Sequence, residues 1–143
     1  MHSPIVSNLD QFNQTACQNL DEAFTLAWYL TGDEDAAAET VQTALMQSYA
    51  ARDQEHNLRV SIFQKVMQYS LKTYQNHRGK QKQTHPQTVP LLMSLPFQER
   101  CAALLVDVLK MNYQEAAHVM ECSPKMVGRY LLQARLYPNQ LEN

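Results

Sequence analysis

The sequence predicts an all-α protein of two small helical domains joined by a short linker. Three observations carry this. Only three glycines occur in 143 residues, and no proline falls between Pro4 and Pro86, so the residues that punctuate structure are absent over long stretches. Apolar side chains recur at steps of three and four, the repeat of an amphipathic helix. Residues 83–91 are polar, lack periodicity and carry Pro86 and Pro90, which is the composition of a linker. The division predicts a three-helix domain over residues 1–82 and a helix-turn-helix domain over residues 92–143.

The first helix is expected from about Leu9 to Leu30, with Phe12, Ala16, Leu20, Ala23, Phe24, Ala27 and Trp28 turned inward. Gly32 ends it, because glycine takes the left-handed conformation past a helix end. Asp33 is then a good N-cap, and Glu34 and Asp35 sit where the helix dipole favours negative charge. The second helix follows to about Arg52, with Ala37, Val41, Ala44, Leu45, Ser48 and Tyr49 on one face and Glu39 and Gln42 on a neighbouring one. The third spans about Leu58 to Asn76 and buries Ile62, Phe63, Val66, Tyr69, Ser70 and Thr73. Arg59, Lys65 and Lys72 flank that face, and a basic tail with Arg78, Lys80 and Lys82 follows. Beyond the linker, Pro96 suits the first turn of a helix reaching about Lys110, with Cys101, Leu104, Leu105 and Val108 inward. A short helix over about Tyr113 to Met120 comes next. Ser123 caps the last helix, Pro124 opens it, and Pro138 is expected to stop it near Leu136.

The net charge of −2 hides an asymmetry. Residues 1–57 hold one base and nine acids, a net of −8, whereas residues 58–82 hold six bases and no acid, a net of +6. Such blocks suit two different partners, or two faces that attract each other. No run of about 18 apolar residues exists to cross a membrane. The first residues do not read as a signal peptide. The three scattered cysteines do not form a disulfide framework, so a reducing cytoplasm is expected. Phosphate-binding loops, dinucleotide motifs and nucleophile elbows are absent, and no His and Cys fall at metal-ligand spacing. The chain is therefore not expected to be an enzyme, nor to take a cofactor, a metal or a small-molecule substrate.

Residues Asn112 to Arg135 form the pattern with most functional content. Two short helices joined by a tight turn lay the second across the first, and in a DNA reader the second enters the major groove N-terminal end first. Ala117 fits a close helix crossing, while Val119, Val127 and Leu131 would pack beneath it. Lys125 and Arg129 lie one turn apart near the exposed start of the last helix, and Arg135 lies where it could meet a phosphate.

The wording of this segment resembles the C-terminal, region-four domain of the small extracytoplasmic-function sigma factors. The resemblance rests on Leu95-Pro96 with Arg100, on Asn112 to Ala117, on Cys122 to Val127, and on Leu131, Ala134 and Arg135. Leu30 to Asp33 and Ala37 to Leu45 look like the region-two pattern of the same family. The resemblance implies a transcription initiation protein that binds RNA polymerase core and directs it to promoter DNA, with an anti-sigma factor as a further partner. By position, it implies that Glu39, Gln42 and Thr43 meet the polymerase. Lys65, Lys72, Arg78, Lys80 and Lys82 would then lie near promoter DNA, and Lys125, Arg129 and Arg135 would contact its upstream element. Departures from the family pattern leave two alternatives open. Glu121 stands where a glycine is usual, and Met126, Gly128 and Tyr130 stand where threonine and bases are usual. The alternatives are a sigma-like regulator that binds polymerase or another regulatory protein without reading a promoter, and a stand-alone helix-turn-helix regulator.

Overall fold

A computed structural model describes the backbone of residues 4–54, 57–76 and 94–142, and the side chains of residues 9–54, 57–73 and 94–136. The described residues are all-helical. The helices are α1 (Pro4–Thr31), α2 (Glu34–Ala50), α3 (Leu58–Asn76), α4 (Phe97–Ala102), α5 (Tyr113–Met120) and α6 (Pro124–Glu142), with a π-helical turn, Ala103–Val108, continuing α4. The expected linker, residues 83–91, lies outside the described residues, as do Arg78, Lys80 and Lys82.

Helices α1, α2 and α3 pack on one another as an N-terminal bundle. Helix α1 begins earlier than expected, at Pro4, where proline's fixed φ suits a first turn. Its buried stripe is Phe12, Asn19, Ala23, Leu26, Ala27 and Leu30, at steps of one, three, four and seven. Leu20, expected inside, is 45% exposed because it falls off that stripe. Gly32 closes the helix at φ 77°, and its N–H reaches the Trp28 carbonyl at 2.8 Å. The Asp33 carboxylate accepts from the Ala36 N–H at 3.2 Å, capping α2 as expected. The buried face of α2 is Ala37, Thr40, Val41, Ala44 and Ser48. Ser48 Oγ meets Ser61 Oγ of α3 at 3.3 Å, so these two buried hydroxyls satisfy each other. Tyr49, expected on the same face, is 38% exposed at its edge and sets its ring against Phe12, centroids 5.2 Å apart. Asn57 caps α3 through the Val60 N–H at 3.1 Å.

Two features of the C-terminal half depart from expectation. The chain does not continue as an α-helix to Lys110. From Ala103 it widens into the π turn, where the Leu109 N–H reaches back five residues to the Leu104 carbonyl at 2.8 Å. The extra residue in that turn rotates the residues beyond it, so Cys101, Leu104 and Leu105 stay fully buried while Val108 is 42% exposed. Lys110, at φ 62°, then reverses the backbone. The other departure is at Pro138. Helix α6 runs through it to Glu142, because a proline withdraws one N–H from the ladder without forbidding helical backbone beyond it.

One apolar core spans both halves, from Ala23 and Leu26 of α1, through Phe63 and Val66 of α3, to Ala117, Val127 and Leu131. Helix α3 lies against α5, and α1 against α4.

Candidate nucleic-acid interface

Helices α5 and α6 form the helix-turn-helix. Asn112 caps α5, its Oδ1 accepting from the Glu115 N–H at 2.7 Å. The helix ends at Glu121, which adopts the left-handed conformation at φ 57°, ψ 45°. Behind it the Cys122 N–H bonds the Ala117 carbonyl at 3.0 Å and the Glu121 N–H the His118 carbonyl at 3.3 Å. That pair of bonds is a Schellman closure, which normally takes glycine. Ser123 Oγ accepts from the Met126 N–H at 3.2 Å and starts α6. Ala117, Val119, Val127 and Leu131 are buried between the two helices, as the spacing predicts.

On the outside of α6, Lys125 and Arg129 are both exposed, and their four-residue spacing puts them on one face. Arg135 is exposed but already paired, its Nη2 lying 3.2 Å from Asp107 Oδ1 in the π turn. A methyl group at Gly128 would sit 3.4 Å from the Tyr113 ring, an ordinary contact distance, so the packing leaves room for a Cβ there.

The bases on α3 are divided. Lys72 is exposed with its Nζ 5.3 Å from the Tyr69 ring centroid, and Lys65 is half-buried. The residues assigned to a polymerase surface are divided as well. Glu39 and Thr43 line a cleft of 320 Å³ together with Tyr69 and Thr73 of α3. Gln42 lines a separate, open groove of 610 Å³ between α1 and α2, with Leu20, Phe24, Val41 and Leu45. Leu20, expected inward, therefore serves as a groove wall, and nothing in its spacing marked it out.

Two arginines have roles that sequence reasoning missed. Arg100 is 2% exposed, and its guanidinium donates to the Leu95 carbonyl at 3.0 Å and to the Tyr29 carbonyl of α1 at 3.3 Å. Arg59, counted among the basic-face residues, points to carboxylates instead. It donates to Glu115 of α5, to Glu22 of α1 at 3.3 Å and to Asn19 Oδ1 at 2.9 Å. Burial by itself would lower the Arg59 pKa, but the hydrogen bond and charge of Glu115, with Glu22 behind, hold it above its ordinary value. Among the described residues, no group of His, Cys, Asp or Glu could hold a metal, and no helix is long and apolar enough to cross a membrane.

This arrangement of helices is similar to that of solved structures, a sigma factor among them. The chain is similar to CnrH, solved in complex with the cytosolic domain of CnrY. The TM-score is 0.76 at 20% identity, over 91% of this chain and 86% of that one. It is also similar to the sigma factor RpoE, solved in complex with the anti-sigma factor NepR from Bartonella quintana. Here the TM-score is 0.73 at 20% identity, over 87% of this chain and 92% of that one. The likeness is one of fold. No protein-family model and no curated protein sequence matches the chain.

Proposed function

We propose that this chain is a sigma-factor-like transcription initiation protein that binds RNA polymerase core and directs it to promoter DNA. One observation carries the proposal. A two-part sigma-like fold extends over nearly the whole chain, and its helix-turn-helix presents Lys125 and Arg129 outward at the start of the second helix. Those two side chains are of the types that neutralise phosphates and pair with guanine edges. In this reading Glu39, Gln42 and Thr43 of α2 belong to a polymerase-facing surface. Lys65, Lys72, Arg78, Lys80 and Lys82 serve the downstream promoter element, and Arg135 a backbone phosphate. The protein works in the cytoplasm, with residues 1–82 and 92–143 as its two functional units. An anti-sigma factor is a second proposed partner, by analogy with RpoE and its bound NepR.

A regulator that binds polymerase or another protein without reading a promoter is the second reading. The outer face of α6 favours it, since Gly128 and Tyr130 stand among its few bases. Transcription with purified core enzyme on a pool of promoters separates the two. Start-site-specific transcripts are expected from the first. Core binding without transcripts supports the second, and DNA binding without core binding supports a stand-alone helix-turn-helix regulator.

A further inference from the structure

The contact between the two halves is polar along one line of α3. Arg59 donates to Glu115 of α5. One turn and more along, Gln64 Nε2 donates to the His118 carbonyl at 2.6 Å, and Gln68 Nε2 to Glu121 Oε1 at 3.3 Å. Gln64, Gln68 and Lys72 fall at steps of four, so they share one face of the helix. The helix-turn-helix thus occupies part of the face on which Lys72 stands. The clasp residues are accessible to water and ions, with Arg59 29% and Glu115 25% exposed at their side chains. The contact is also asymmetric. Glu22 holds Arg59 from within the N-terminal bundle, so the guanidinium stays in place, and Glu115 is the member that can leave.

We propose that Arg59 and Glu115, with Gln64 and Gln68, form an intramolecular latch that closes the helix-turn-helix onto α3 and withholds that face of α3 from nucleic acid. The conformational part rests on the contacts alone, and its regulatory part rests on the function proposed above. Ionic attraction between partly exposed groups weakens with salt. A closed state also lowers the apparent affinity of any partner that needs the open one, in proportion to the open fraction.

The test compares the full chain with E115R, which faces Arg59 with a like charge, and with E22Q, which disturbs only the inner pair. Small-angle scattering should give the wild type a radius of gyration near the roughly 15 Å of a compact chain of this length. E115R should exceed that value at unchanged helicity, and E22Q should match it. A wild-type size for E115R, or equal expansion in E22Q, would overturn the latch. Should E115R lose helicity, the unmutated chain decides: expansion between about 0.05 and 1 M salt supports the latch, and constant size overturns it. Where the wild type binds promoter DNA, alone or with core polymerase, E115R should bind that DNA about fivefold tighter or better, and no gain would overturn the regulatory role. If no form binds either partner while E115R still opens, the conformational latch stands and the function proposed above fails.

Discussion

Glu121 holds a position that costs it free energy. A left-handed conformation at a residue with a Cβ is unfavourable by about 1 kcal/mol, and the compensating bond from Gln68 is long and exposed. Glu121→Gly is therefore expected to raise stability by about 0.5–1 kcal/mol in urea unfolding, and a loss would show that the Gln68 bond matters more than the backbone. Gly128 presents the opposite case. Its helical position disfavours glycine by roughly 1 kcal/mol relative to alanine, and a methyl there meets the Tyr113 ring at ordinary contact distance. Gly128→Ala should stabilise the chain by up to about 1 kcal/mol; destabilisation would mean that the ring cannot give. At the outer face, Arg129→Ala is expected to weaken DNA affinity by several-fold and to flatten its salt dependence by about one charge. Unchanged binding and slope would remove α6 from the interface.

At the scale of elements, the π turn after α4 decides which side chains enter the core. Cys101, in the last turn of α4 just before it, has no exposed surface, and burial pushes that thiol above the ordinary thiol range. The folded thiol keeps its proton where the unfolded one, with a pKa of roughly 8.5, loses it. The unfolded state then binds fewer protons, so this contribution is complete below that pH and declines as pH rises past it. Wild-type stability should therefore fall from pH 8 to 10 more steeply than that of Cys101→Ala, and parallel profiles would contradict the buried placement. Thiol labelling of the native chain should modify exposed Cys17 first, half-buried Cys122 more slowly and Cys101 only on unfolding.

At the scale of the molecule, Arg100 joins α4 to α1 through backbone carbonyls of Leu95 and Tyr29. Arg100→Ala would leave a cavity and strand these acceptors, and it is expected to cost about 2–4 kcal/mol. Equilibrium unfolding measures this, and a cost under about 1 kcal/mol would mean that water replaces the guanidinium. With Arg59, it adds polar ties between two halves that share a single apolar core. The charge asymmetry of the sequence left open whether its blocks served two partners or attracted each other. Arg59, bound between Glu22 and Glu115, shows attraction at one residue of the basic block. Lys72 and Lys65 show none to an acid among the described residues.

Much was legible in the sequence because it depends on near neighbours in the chain. Amphipathic spacing placed α3 and α5 to the residue. The caps expected at Asp33 and Ser123 need only a side chain and an N–H three residues on; those at Asn57 and Asn112 have the same local geometry but were not among the expected ones. The order of motifs foretold an all-helical, sigma-like fold. What the sequence could not decide depends on groups far apart along it. Arg59 reads as one more base on a basic helix until the fold brings Glu115 to it, 56 residues away. Arg100 has no visible partner in the sequence until the fold brings the Tyr29 carbonyl to it, 71 residues away. The π turn, the exposure of Leu20 and Val108, and the separation of Gln42 from Glu39 and Thr43 likewise come from how whole helices seat against one another. Local hydrogen bonding and periodicity determined the helices, and only packing between the two halves decided which of their charges remain available to a partner.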